Sequence, residues 1–189
     1  MTPTFPRVAL APLLCCLAIS VASACASLSG QGDPRELSFQ PGRWLVLRTN
    51  LHHTPQGEIS ALNYQPQNIL PRCTEVLLLG IDGEEMTFRA GEMEYVWRFS
   101  DRIREDRYDH LFHFFAPRCE TRTLNDIDKL GIQQGKAKVG MTRWGVLYAL
   151  GYPPDDVTPD IAADVWTYWR YQDFQMKVVF ENDVVTFVK

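Results

Sequence analysis

The stretch GMTRWGVLYALGYPP, residues 140–154, encodes the start and the stop of one short helix. Thr142 is a candidate N-cap, because its hydroxyl can accept a hydrogen bond from an amide of the first helical turn. Met141 and Val146 have the spacing at which two apolar side chains pack around a helix start. Gly145 stands where a complete capping box has an acidic residue, so the box is incomplete.

The end of this helix is encoded just as locally. Gly151 is suited to the left-handed conformation that follows many helices, and Pro153 and Pro154 prevent the helix from continuing. The apolar side chains between start and stop form a single stripe: Val146, Leu147 and Leu150. The pattern predicts a short amphipathic helix that packs on a sheet.

Residues 1–24 have the pattern of a secretory signal peptide. Arg7 precedes the apolar run VALAPLLCCLAISVA, and the small residues ASA come directly before Cys25. These residues resemble a bacterial lipobox, which implies cleavage after Ala24 and acylation of Cys25. An Ala-x-Ala peptidase site would cut at the same bond, so plain secretion stays open as the alternative.

The residues after Cys25 bear on location. Ala26 and Ser27 lack the aspartate that holds such lipoproteins at the inner membrane. We therefore predict lipid anchoring at the periplasmic face of the outer membrane, the alternative being a soluble periplasmic or secreted protein.

Two cysteines remain once Cys25 is acylated and the signal is removed. Cys73 and Cys119 each follow a Pro-Arg pair, and an oxidising compartment would allow them to form a disulfide. Two buried free thiols are the alternative, because the sequence carries no distance information.

Composition excludes some classes of function. The chain has 189 residues, a hydrophobic share of 46% and a formal net charge of -4, without a run of like charges. It is therefore predicted to be globular and not to bind nucleic acid.

The chain divides by pattern into a tether at residues 25–40, a β-rich region at 41–122 and a C-terminal region at 123–189. Short strand-like runs in the β-rich region include RWLVLRTNLHH, EYVWRFS and HLFHFFA, and Asp82-Gly83 favours a hairpin. Strands at this density are typical of a small barrel or sandwich.

The C-terminal region combines helices and strands. A helix capped at Thr123 and ending before Gly135 precedes the helix of residues 140–154, and three strand-like runs follow: VWTYWRY, QMKVVFE and VVTFVK. We predict two helices on one side of a three-stranded antiparallel sheet, with a tight turn at Asn182-Asp183.

The C-terminal region resembles the BamE (SmpA/OmlA) family of outer-membrane lipoproteins. The matching residues are Gly140, Met141, Thr142, Val146, Leu150, Gly151, Pro153, Trp166, Tyr168, Phe180, Asn182 and Val185. The resemblance implies a helix-helix-three-strand fold and an accessory role in the machine that inserts β-barrel proteins into the outer membrane.

The β-rich region resembles a bacterial SH3-like barrel, through the stretch EISALNYQPQNILPRCTEVLLLGI. Cys73 occupies the position where that pattern has glycine. This resemblance implies binding of peptidoglycan or peptides. The expected fold class is therefore α+β, a small SH3-like β-barrel followed by a BamE-like unit.

Candidates for catalysis or metal binding are few. His52-His53 and the His110-x-x-His113 pair lie in separate strand-like runs, without a spaced set of cysteines or carboxylates. Cys73 or Cys119 with a histidine would make a nucleophile and its base, yet no nucleophile-elbow pattern surrounds either. We predict no catalytic residues, no metal, no cofactor and no enzymatic activity.

The densest aromatic cluster suggests a contact surface. Alternation along a strand places Trp166 and Tyr168 in the core and sends Trp169 and Tyr171 to the opposite face, where they either pack on the β-rich region or are exposed as a binding patch. Together with Tyr152, Trp169 and Tyr171 are the predicted partner-binding residues.

The sequence thus predicts a non-enzymatic bacterial envelope lipoprotein that binds an envelope protein or acts as a scaffold, in outer-membrane assembly or maintenance. The alternative is a lipoprotein that binds peptidoglycan or another cell-wall ligand through its SH3-like region.

Overall fold

The computed structural model describes residues 33–66, 68–171 and 174–189. The predicted signal peptide, Cys25 and most of the expected tether lie outside the described residues. Among those that are described, no helix is both long and apolar enough to cross a membrane.

The described chain is mixed α and β. The helices are α1 (Arg107–Phe114), α2 (Asp126–Gln134) and α3 (Arg143–Leu150), preceded by a 3-10 helix at Glu36–Phe39. The strands are β1 (Trp44–Leu47), β2 (Leu51–His53), β3 (Glu58–Ser60), β4 (Asn68–Leu70), β5 (Glu75–Asp82), β6 (Glu85–Ala90), β7 (Met93–Arg98), β8 (Phe115–Ala116), β9 (Val165–Tyr171), β10 (Phe174–Glu181) and β11 (Val184–Val188).

The β-rich region forms a curled six-stranded sheet and a small two-stranded ribbon. The sheet order is β3-β7-β6-β5-β1-β8, with only the β3–β7 pair parallel, and the ribbon pairs β2 with β4. The predicted hairpin is confirmed, since Asp82 pairs with Glu85 across a turn at Gly83. Alternation along β7 buries Tyr95 and Trp97 in the core of this region.

The prediction of a strand at HLFHFFA was wrong, because most of that run belongs to α1. The side chain of Asp106 caps this helix by accepting hydrogen bonds from the amides of Tyr108 and Asp109. The buried residues His110, Leu111 and Phe114 then lie on one helical face. A short apolar run fits a helix or a strand equally well, and here the cap decides between them.

The expected tether was also too long. Within residues 25–40, Glu36–Phe39 form the 3-10 helix, and Phe39 is buried in the core of the β-rich region. The ring of Phe39 lies 5.0 Å from that of Phe112, centroid to centroid. The folded part of the chain therefore begins before residue 41, because one large aromatic side chain is buried there.

The C-terminal region has the predicted two helices and three-stranded antiparallel sheet, in the order β11-β10-β9. Asn182 and Asp183 both have positive φ angles, of 50° and 64°, and form the tight turn between β10 and β11. Met176, Val178 and Phe180 are buried on the inner face of β10. One face of this sheet is thus covered, as expected.

The start of α2 differs from the prediction. Its N-cap is Asn125 and not Thr123, and Asn125 forms a complete capping box with Asp128. The amide of Asp128 donates to Asn125 Oδ1 at 2.7 Å, and the amide of Asn125 donates to Asp128 Oδ2 at 3.2 Å. An Asn with an acid at the third helical position is a better cap than the Thr two residues earlier.

Asp128 also completes the start of α3. Thr142 caps this helix as predicted, accepting from the amide of Gly145 at 3.0 Å. The acid missing from its own capping box is replaced by Asp128, whose Oδ1 accepts from the amide of Thr142 at 2.8 Å. A Cβ atom on Gly145 would lie 2.0 Å from that same Oδ1, so the glycine leaves the space that the carboxylate occupies.

The prediction of an amphipathic α3 was wrong, because residues 145–150 are all buried. The C-terminal sheet covers one side of the helix, and the β-rich region covers the other. The guanidinium of Arg72 lies 4.0 Å from the ring centroid of Tyr148, and the amide of Asn50 donates to the carbonyl of Tyr148 at 2.9 Å. Because both regions pack against α3, a helix that was predicted to bury a single apolar stripe is buried on both sides.

Three polar side chains of the β-rich region bind the carbonyl groups at the end of α3, and we call them the helix-end clamp: Asn50, His52 and Asn63. Asn50 Nδ2 donates to the carbonyls of Ile132 at 2.7 Å and Ala149 at 3.3 Å, so that it binds both α2 and α3. Because the last carbonyls of a helix have no partner inside it, buried helix ends need such donors.

The other two members complete the helix-end clamp. Asn63 Nδ2 donates to the carbonyls of Leu150 at 2.5 Å and Tyr152 at 3.1 Å, and His52 Nε2 lies 3.3 Å from the carbonyl of Ala149. Gly32–Lys189 accordingly form one compact unit. The division at residue 122 stays a prediction about separable folding units.

Candidate functional site

One candidate site is a groove of about 550 Å³ where the β2–β4 ribbon, the end of α2 and the C-terminal sheet meet. Its position depends on Gly135, which ends α2 in the left-handed conformation with a φ of +59°. A Cβ atom there would lie 2.4 Å from Ile69 Cδ1 and 3.0 Å from His52 Cε1. The close approach of α2 to the ribbon, and therefore the groove, requires this glycine.

The apolar part of the groove comes from both regions of the chain. Leu150 and Met176 belong to the core of the C-terminal region, Val188 packs against that core, and Ile69 comes from β4. Tyr171 lines the groove with its side chain 61% exposed. A volume of this size is typical of ligand-binding clefts, and the exposed lining is more polar than apolar.

The charged part of the groove is entirely positive among the residues that the structure describes. Lys136 follows α2 and Arg170 lies near the end of β9, both exposed, and no Asp or Glu of the described chain lines the groove. Neither cation makes an ion pair with a residue in the described ranges, whereas Arg35, Arg98 and Arg143 do. Two cations that have no ion-pair partner in the described part of the chain, in a protein of net charge -4, favour an anionic ligand.

His52 forms part of the groove wall and is 4% exposed. Its Nδ1 lies 3.1 Å from the carbonyl of Pro66 and its Nε2 lies 3.3 Å from that of Ala149. Burial lowers the pKa of His52 below its ordinary value. The two carbonyl oxygens favour the charged ring and so act in the opposite direction, but the effect of burial is larger. His52 therefore adds a neutral ring to the wall at neutral pH.

Of the three predicted partner-binding residues, only Tyr171 lies in the groove. Trp169 is half-buried under the chain's own loop, with Nε1 donating to Asp156 Oδ1 at 3.2 Å. The guanidinium of Arg102 lies 4.4 Å from the Trp169 ring centroid and pairs with Asp156 at 2.6 Å. These contacts within the chain cover part of the Trp169 side chain.

Tyr152 lies between the two regions and packs against the cores of both. Its ring stacks on that of His113 at a centroid distance of 4.1 Å, and burial raises the pKa of its hydroxyl. The contacts of Tyr152 are thus with the chain itself, and unlike Tyr171 it does not line the groove.

Cys73 and Cys119 are joined as a disulfide, with their Cα atoms 5.1 Å apart. Cys73 has a φ of +65°, a conformation for which glycine is better suited. Because both thiols are in the disulfide, neither is available as a nucleophile. The bridge links the segment after β4 to the segment after β8.

The histidines of α1 meet a carboxylate that the sequence pattern did not indicate. Glu105 Oε1 lies 2.5 Å from His110 Nδ1, and Glu105 Oε2 lies 2.9 Å from His113 Nε2. Burial alone would raise the pKa of Glu105, but the hydrogen bonds from the two histidines outweigh it and lower that pKa to about 2. The i, i+3 spacing would have indicated this cluster once the run was recognised as a helix.

Among the described residues, no group of three or more His, Cys, Asp and Glu side chains could hold a metal ion.

The groove was not predicted from the sequence, because Lys136 and Arg170 are 34 positions apart in the chain and each is an ordinary surface cation. The only local signal was Gly135, which marks where α2 ends and a new direction begins.

No family model matches the chain, and neither a curated protein nor a solved structure is similar enough to count as a match. Function must therefore be argued from the geometry of the groove.

Proposed function

We propose that the chain is a non-enzymatic lipoprotein of the bacterial envelope, anchored through Cys25 at the periplasmic face of the outer membrane, and that it binds another envelope protein. The observation that carries this proposal is the groove, which is lined by exposed Tyr171 and by Lys136 and Arg170, two cations that make no ion pair with a residue in the described ranges. An exposed aromatic residue next to unpaired positive charges is typical of a binding surface.

The fold supports the same proposal. We propose that α2, α3 and strands β9 to β11 form a BamE-like unit and that the curled sheet is an SH3-like one. In this arrangement the helix-end clamp holds the two units together, and the groove uses side chains of both. A partner bound there would contact both units at once, as a scaffold component requires.

Site-specific photocrosslinking in native membranes tests this function. Tyr171→p-benzoylphenylalanine places the crosslinker in the groove, and Phe187→p-benzoylphenylalanine is the matched control, an aromatic residue that is 53% exposed on the same sheet and does not line the groove. We expect a light-dependent adduct with an envelope protein from position 171 only, and its loss in the Cys25→Ser variant.

The alternative function predicts a different result. If position 171 gives no adduct while the chain sediments with purified peptidoglycan, the protein binds the cell wall and the proposed protein partner is wrong.

A further inference from the structure

We infer that the groove binds an extended peptide segment of its partner in which acidic side chains alternate with apolar ones. This inference rests on the proposed function and specifies the chemistry of the partner. It follows from three features of the groove: its charge, its polar walls and its apolar floor.

The charge of the groove selects an anionic ligand. Lys136 and Arg170 come from two different elements, so carboxylates at two separate positions of a ligand can each meet a cation. Among the described lining residues no carboxylate competes for them. Charge complementarity of this kind steers the ligand and rejects partners of the same sign.

The polar walls favour a peptide over an acyl chain. Gln65 and Gln134 line the groove together with the backbone at Gly135. A lipid tail would cover these groups without giving them hydrogen-bond partners, which costs free energy. A peptide backbone offers donors and acceptors along its length, as it does when extended peptides bind other domains.

The apolar floor explains why the ligand needs apolar side chains as well. Ile69, Leu150, Met176 and Val188 contribute apolar surface, and Tyr171 adds an exposed ring at the groove. In an extended peptide successive side chains point to opposite sides. Apolar side chains can then face the floor while acidic ones point toward Lys136 and Arg170.

The test is a selection of random peptides displayed on phage against the full acylated chain in detergent micelles. Enriched peptides are then measured for affinity to the wild type and to two double variants. Lys136→Glu with Arg170→Glu reverses the charge of the groove. Lys177→Glu with Arg89→Glu is the matched control, because it reverses two exposed cations that do not line the groove.

We expect the enriched peptides to combine acidic and apolar residues and to bind more weakly as salt is raised. The groove variant should lose affinity at least about tenfold, and the control variant should keep it. A neutral or basic consensus, or equal binding by both double variants, would overturn the inference. Thermal unfolding of each variant checks that neither has lost its fold.

Two further outcomes separate this inference from the proposed function. An adduct at position 171 together with neutral or basic peptides leaves protein binding intact and overturns only the acidic chemistry. Binding to phosphatidylglycerol vesicles that is lost in the groove variant and not in the control would overturn the peptide in favour of a lipid surface. Failure of both the crosslinking and the selection would remove the proposed function as well.

Discussion

The two ends of α3 are capped in different ways. The backbone amides at its start bind side chains of the C-terminal region, Thr142 and Asp128 from the neighbouring helix. The carbonyl groups at its end bind side chains of the β-rich region, Asn50, His52 and Asn63. Both ends need hydrogen-bond partners, yet only one of them finds its partners nearby in the chain.

This difference shows where the two regions depend on each other. Without the β-rich region, the last carbonyls of α3 would lose their donors, and the buried face around Tyr148 would be open to water. The groove lies beside the same contact, because His52 belongs to both the helix-end clamp and the groove wall. We therefore expect the stability of the whole compact unit and the shape of the groove to depend on the clamp.

The largest effect should come from the clamp. Asn50→Ala removes the donors to the carbonyls of Ile132 and Ala149 and the acceptor of the Arg72 amide. Because several buried groups are left without partners, we expect the free energy of unfolding to fall by about 3 kcal/mol. Urea denaturation followed by circular dichroism measures this change.

Asn125→Ala is the matched control, since Asn125 caps α2 entirely within the C-terminal region. Its loss should cost only about 1 kcal/mol, the ordinary value of an N-cap. If the two variants lose the same stability, the end of α3 is held no more strongly than an ordinary cap, and the dependence of one region on the other is much weaker than argued above.

The start of α3 should give the next largest effect. Gly145→Ala places a methyl group against the carboxylate of Asp128 in a buried site, and we expect a loss of about 2 kcal/mol. In combination with Asp128→Ala the clash is gone, so the double variant should lose less than the sum of the two single losses. A strictly additive result from the three unfolding measurements would mean that Gly145 and Asp128 do not interact.

The same contrast between local and distant partners explains which features could be predicted from the sequence. Thr142, Gly151 and the Asn182-Asp183 turn are local signals, and the helix and hairpin they indicate are present. The helix-end clamp could not be predicted from the sequence, because Asn63 and Leu150 are 87 positions apart. A single asparagine in a turn carries no sign of a distant helix end, so burial of α3 on both sides could not be foreseen.

The β-rich region shows the second limit. There the run HLFHFFA has an apolar content that suits a strand, and the Asp106 cap that makes it a helix lies just before it. The groove was hard to predict for both reasons, the ambiguity of local patterns and the distance between partners. It needs Gly135 at a helix end, Lys136 next to it and Arg170 on a strand much later in the chain.

The smallest effect concerns pH and tests whether His52 closes the end of α3 as a neutral ring. Burial keeps its pKa below the ordinary value of about 6.5, so below that pH the unfolded chain binds a proton that the folded chain does not. Stability should then fall as the pH is lowered from 7 to 5, by at most about 1.4 kcal/mol per unit from this group. His52→Gln should reduce this loss, measured by urea denaturation of both chains at several pH values. Because all other titratable groups are shared by the two chains, an equal pH dependence in wild type and His52→Gln would mean that His52 is protonated as readily in the folded chain as in the unfolded one.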